Sequence, residues 1–307
     1  MRHIRLALPL LAVSALACAS SATTAQQVPA AAPGPEVLLR LDDIGMNHSV
    51  NQAVAKVAAT GMPFSASVLF ACPWYQEAVD ILKQNPQVTV GVHLALNSEW
   101  RGYRWGPVLG KTGVPSLVDK DGYFLPSNDE FLRSKYDLGE VERELTAQLE
   151  RALGSGLKIT YVDAHMGSAF ATPQLREVTE RLAKKYGLAI STYYGEAYHS
   201  LWGVPVGSKK SDLLARLGTV SRDSVTVIEV HVAERTPEME AIYDMNAPEQ
   251  NAPGAGVVDH RKAELETMVS PELRELVRTG RIRLVTYQQL VARRGLDAMR
   301  RPTGMQP

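Results

Sequence analysis

Four short polar islands, each at the exit of an apolar, strand-like run, constrain this chain more than any other feature. Asp42 and Asp43 follow the run 37–41, His93 follows 88–92, Asp163, Ala164 and His165 follow 159–162, and His231 follows 225–230. Carboxylates and imidazoles that recur at strand exits, far apart in sequence, gather at one end of a parallel sheet or barrel. Metal-assisted hydrolysis requires such a set of groups in one place.

The rest of the chain supplies the frame for such an end. Strand patterns at 36–42, 65–71, 88–93, 159–164, 188–192, 225–230 and 281–285 alternate with helical patterns at 50–60, 73–83, 130–153, 173–186 and 259–278. Alternation of this kind builds right-handed βαβ units around a parallel sheet. Seven strands predict a deformed or incomplete (β/α) TIM-like barrel with parallel strands rather than a short doubly wound sheet. Two inserts leave the same end: 97–127, after the His93 strand, and 236–258, after the His231 strand. The first is expected to be a long functional loop without secondary structure of its own, because it carries Trp100, Tyr103 and Trp105.

The N-terminus reads as a targeting segment. Arg2, His3 and Arg5 precede an apolar run over 6–17 and then small residues, which predicts an export signal over 1–25 and a periplasmic or secreted protein. The run is shorter than the ~20 residues that cross a bilayer, so no permanent membrane span is expected. Cys18 sits near a lipoprotein position, but the leucine of Ala15-Leu16-Ala17 is out of order for that signal, and soluble export is favoured. With Cys18 removed, Cys72 stands alone and no intrachain disulfide forms. Residues 26–35, rich in Ala, Pro and Gln, read as a disordered linker, 36–295 as one barrel domain and 296–307 as a tail. Lys and Arg total 33, as do Asp and Glu, so the chain lacks the basic excess of a nucleic-acid binder.

Each island also has a plainer reading. Asp42-Asp43 suits a turn and helix cap, and His93 in Gly91-Val92-His93-Leu94 suits a hydrogen-bonded core histidine. Asp163 and His165, two apart on an extended segment, share a face and suit a structural pair as well as a ligand pair; Glu229 and His231 repeat that spacing. Their joint occurrence favours a metal site: three of seven histidines fall at strand exits, beside acidic partners. Histidine with carboxylate suits Zn²⁺, with Mg²⁺ the alternative.

These segments together resemble the YdjC-like carbohydrate deacetylases, related in chemistry to the NodB-type polysaccharide deacetylases. The resemblance rests on 41–47 with Asn51, on 91–96, 119–124, 144–148, 162–165 and 229–231, and on the closing segment 261–290, in that order along the chain. It implies a metal-dependent hydrolase that removes N-acetyl groups from a small carbohydrate. By that resemblance Asp43, His93 and His165 bind the metal, Asp42 is the general base, His231 the general acid, and Asp163 orients a ligand histidine. Trp100, Tyr103 and Trp105 of the first insert are expected either to bind substrate, with Arg101 and Arg104 as hydrogen-bond donors, or merely to pin the loop to the barrel; Tyr193, Tyr194 and Trp202 invite the same two readings, and Arg261 is expected to bind substrate. Two departures stand out: Met166-Gly167 where relatives place a second histidine, and Val232 where relatives often have proline. The competing readings are a secreted glycan-binding protein on a degenerate scaffold, and a metal hydrolase of other amides or esters.

Overall fold

Strand β1 (Glu36–Ile44) is apolar enough to be buried along nearly its whole length and becomes the centre of the sheet. The computed structural model describes residues 34–248 and 252–302; the segment expected to be an export signal, the expected linker up to residue 33 and the last five residues lie outside the described residues. The other strands are β2 (Ser65–Val68), β3 (Thr89–Leu94), β4 (Trp100–Arg101), β5 (Ile159–Ala164), β6 (Ala189–Ile190), β7 (Ala197–Ser200), β8 (Thr226–Val230), β9 (Tyr243–Asp244) and β10 (Arg283–Leu284).

Eight of them form one sheet, seven in the order β6-β5-β3-β2-β1-β8-β7 and β10 off this path beside β1, with every pairing parallel. Strand β10 pairs with the start of β1, Glu36 opposite Arg283, while β2 pairs with its second half from Arg40 onward. Among the described residues no pairing joins β6 to β7, so the curled sheet is an incomplete barrel, as the alternating pattern predicts. None of the described helices is long and apolar enough to cross a membrane.

Local chemistry explains where elements begin. Asn47 accepts from the Val50 N–H at 2.9 Å and starts the helix His48–Ala58. Thr172 caps Pro173–Tyr186, whose Pro sits at the first turn where no N–H is needed. Gly91 in β3 is required by close packing: a Cβ there would come within 2.5 Å of the Tyr161 ring.

Several expectations need correction. The helix expected over 130–153 is two, Asn128–Arg133 and Leu138–Gly154, because Ser134 leaves the helical region and Asp137 opens a new cap. The one expected over 259–278 is divided into Val257–Met268 and Pro271–Arg278, since Pro271 cannot donate to a continuing ladder. The 97–127 insert is not structureless: it contains β4, which pairs antiparallel with β9 of the second insert. Strand β7 has no counterpart in the sequence reading.

Candidate active site

The exits of β1, β3, β5 and β8 meet at a cavity of about 580 Å³ lined by Asp42, Asp43, His93, Asp163, His165 and His231. Adjacent residues of a regular strand face opposite ways. Asp42 and Asp43 share the cavity because the pairing of β1 with β2 shifts register between Leu41 and Ile44, and Asp43 takes the left-handed φ of 61°. That conformation is costly for a non-glycine residue, and its occurrence at a buried carboxylate is typical of a site where function sets the backbone.

Asp43 Oδ1 lies 3.0 Å from His165 Nδ1 and 3.4 Å from His93 Nε2, yet it is buried without a hydrogen-bond partner. The far nitrogen of each ring explains the geometry. His93 Nδ1 lies 2.9 Å from Asp163 Oδ1, and His165 Nε2 lies 2.8 Å from Glu99 Oε2. An ionised carboxylate only accepts, so those nitrogens carry the hydrogens, and in the neutral rings His93 Nε2 and His165 Nδ1 turn lone pairs toward Asp43. Three lone-pair donors facing one another repel unless a cation lies among them. The residues therefore fit a divalent ion, and two imidazoles with one carboxylate match the donor set of catalytic zinc. Without an ion the same logic acts on protons. Burial disfavours imidazolium, but Glu99 and Asp43 override it and lift His165 to about 9. Against the same penalty, Asp163 and Asp42 lift His93 well above the usual imidazole range. Asp43 is held well below the usual carboxylate range: burial opposes this, while Arg261 and His165 outweigh it.

A second cluster fixes Asp42. Arg40 grips it with two hydrogen bonds, Nε to Oδ1 at 2.8 Å and Nη2 to Oδ2 at 2.6 Å, and also meets Asp163 and Glu229 at 3.0 Å each. One buried cation thus faces three carboxylates. Burial works against the Arg40 charge, and those carboxylates restore it. Asp42 is raised above its ordinary value, chiefly by burial, with Asp163 adding and Arg40 and His93 opposing. His231 approaches Asp43 from the other oxygen, with Nε2 4.0 Å from Oδ2. Its backbone N–H donates to Glu264 at 2.6 Å. Burial lowers its pKa, with Asp43 and Glu229 opposing.

The substrate residues divide. Trp100, Trp202 and Arg261 line the cavity; Tyr103, Trp105, Arg101, Arg104, Tyr193 and Tyr194 stand outside its lining. Tyr103 donates to the Met46 carbonyl, and Trp105 packs edge-on against His165 at 5.5 Å, so both are held by the barrel. Arg101 stacks on Tyr243 and Arg104 pairs with Asp119, which keeps both within the inserts. Arg40 and Glu99 were missed by the sequence reading. Arg40 had a signal, a cation inside an apolar strand two residues before Asp42; Glu99 had none, lying in an irregular segment. The departure at 166–167 leaves an open wall: Met166 is exposed at the cavity, and Gly167, at φ 70°, has nothing within 4 Å of where a Cβ would stand.

A Brevibacillus brevis protein named carbohydrate deacetylase is 28% identical over 266 residues, covering 83% of this chain and 99% of that protein. A Vibrio cholerae protein of the same name is 27% identical, covering 84% of this chain and 97% of its own length. A crystal structure from Enterococcus faecalis V583, described in terms of cellobiose-phosphate cleavage, shares the fold with a TM-score of 0.66 at 23% identity, over 84% of this chain and 99% of that one. The family model for YdjC-like proteins matches residues 36–279, so this chain is a member of the YdjC-like protein family.

Proposed function

We propose that this chain is an exported, metal-dependent carbohydrate deacetylase that hydrolyses the N-acetyl groups of amino sugars. The observation that carries the reading is the convergence of Asp43 Oδ1, His93 Nε2 and His165 Nδ1 beside Asp42 in one cavity. The curated relatives named carbohydrate deacetylase support the substrate class, and the basic and apolar pattern of residues 1–25, read as an export signal, favours an extracytoplasmic glycan. Zinc is favoured, with magnesium the alternative.

In this reading Asp43, His93 and His165 hold the ion, while Glu99 and Asp163 fix the two rings. A bound divalent ion lowers the pKa of a water and polarises the acetyl carbonyl. Asp42, fixed by Arg40, takes the proton from the attacking water. His231 delivers a proton to the amide nitrogen as the C–N bond breaks, so that acetate and the free amino sugar leave. Trp100, Trp202 and Tyr198 offer flat faces to a sugar ring from the cavity wall. A glycan-binding role alone does not require Asp42 and His231 at such a centre.

The test is acetate release from N-acetylated chito-oligosaccharides by the purified full chain, with zinc, with chelator and after metal is restored. Wild type is expected to release acetate, lose the activity to chelator and regain it with metal. Asp42→Asn is expected to keep the metal and lose about 10²–10⁴ in rate. Oligosaccharide binding without acetate release under any divalent metal overturns the reading in favour of a binding protein.

A further inference from the structure

Arg261 reaches the cavity from the helix Val257–Met268 and is almost wholly buried, at 1% exposure. Only part of its guanidinium is used. Nη2 donates to Asp43 Oδ2 at 2.5 Å, whereas Nε and Nη1 have no hydrogen-bond partner. The indole rings of Trp100 and Trp202 stand 5.5 and 5.6 Å from its Cζ, within cation–π range. Trp100 Nε1, on the same cavity wall, also lacks a partner.

A buried guanidinium with unmade hydrogen bonds is unfavourable unless something supplies acceptors. Aromatic neighbours help hold the plane of the fork but accept none of its in-plane hydrogens. The unmet donors therefore call for a ligand that brings oxygen. Charge points the same way. Asp43 balances Arg261 one for one, but an ion held by Asp43, His93 and His165 draws on the same carboxylate and leaves Arg261 without a counter-charge of its own; Glu99 and Asp244 also line the cavity. Arg40, by contrast, faces three carboxylates, Asp42, Asp163 and Glu229. The ligand suited to the Arg261 end is an anion or a group that becomes one.

We propose that Arg261 is a catalytic residue that donates to the oxygen of the scissile acyl group as that oxygen gains charge, and afterwards to the carboxylate of the departing acetate. This deepens the deacetylase reading and rests on it. As water adds to the acyl carbon, a C–O bond forms and the carbonyl π pair moves onto oxygen, where Arg261 meets it. When the carbonyl re-forms, the C–N bond breaks, its electron pair stays on nitrogen, and that nitrogen takes a proton. The rival role is positioning alone, in which Arg261 only orients Asp43 toward the ion.

The two roles differ in the sign of an effect on metal binding. A cation beside a metal site repels the metal, so removing a donor that acts on the acyl oxygen leaves zinc affinity unchanged or raises it. Removing a mere positioner of Asp43 lowers it. The test measures zinc affinity and acetate affinity of the zinc-loaded full chain by titration calorimetry, with steady-state kinetics on an N-acetylated chito-oligosaccharide, for wild type, Arg261→Met and Arg261→Lys. For Arg261→Met we expect undiminished zinc affinity, acetate affinity reduced at least about tenfold, and kcat reduced about 10²–10³ with a smaller change in KM. Arg261→Lys, which keeps the charge without the fork, is expected to lie between, and it serves as the test if the methionine variant does not fold. Loss of zinc affinity in step with kcat, with acetate affinity unchanged, overturns the proposal. If wild type releases no acetate from any sugar, the deacetylase reading fails and with it the catalytic role; acetate binding that still depends on Arg261 then shows an anion site without that chemistry.

Discussion

Glu99 Oε2 stands 2.8 Å from His165 Nε2, so a carboxylate from the first insert fixes a ring whose other nitrogen faces Asp43. This contact sets both tautomer and orientation of the ring. Glu99→Gln is expected to weaken zinc binding about 10–100-fold, measured by titration calorimetry on the chelator-stripped protein. Unchanged affinity would remove Glu99 from the site.

Arg40 is the shared counter-ion of the buried Asp42 and Asp163 and of the half-buried Glu229. Arg40→Met leaves these carboxylates facing one another without a cation. Truncating one partner of a buried charge network costs about 3–5 kcal/mol, so a large drop in the urea midpoint is expected, with a smaller one for Arg40→Lys. A midpoint within error of wild type would contradict the network as described.

Glu264 accepts from Lys209 Nζ at 2.7 Å and from the His231 N–H at 2.6 Å, with the Lys209 and Glu264 side chains fully buried. Burial raises Glu264 from 4.5 to about 7 and lowers Lys209, so both shifts favour the neutral forms. The folded state therefore binds the Glu264 proton more tightly than the unfolded state does. Its contribution is complete below about pH 4.5 and is lost as pH rises through about 7, on the order of 3 kcal/mol. Thermal melts of Glu264→Gln should lack this part of the wild-type pH dependence; parallel curves would refute it.

Gly91 lies against the Tyr161 ring, where a Cβ would approach to 2.5 Å. Gly91→Ala is expected to destabilise by about 1–3 kcal/mol through overpacking, read by chemical denaturation. Because Gly91 is two residues from His93, zinc affinity should fall in the same variant.

What the sequence revealed was what periodicity and strand exits can carry. The parallel alternation predicted the incomplete barrel, and the islands at Asp42, Asp43, His93, Asp163, His165 and His231 do meet at one cavity. The plainer reading and the joint one meet at His93: it is a buried, hydrogen-bonded histidine, and its second nitrogen faces Asp43. Strand β7 stayed hidden because it lies at the sheet edge, where Ala197 and Tyr198 are exposed and leave no apolar pattern. Glu99 stayed hidden because its importance depends on His165, which reaches it only through the fold. Tyr103 and Trp105 could not be decided from sequence because aromatics in a long insert serve equally to anchor the insert, which is what both do.

The antiparallel pairing of Trp100 with Asp244 and of Arg101 with Tyr243 means that one rim of the cavity is woven from two excursions distant in the chain. Evolution, or a designer wishing to alter which sugars enter, cannot graft either excursion independently, since a new loop on one side would arrive without its mate. Specificity in this scaffold should diversify by paired change, with the two inserts co-varying in length and composition while the strand exits beneath them stay as they are.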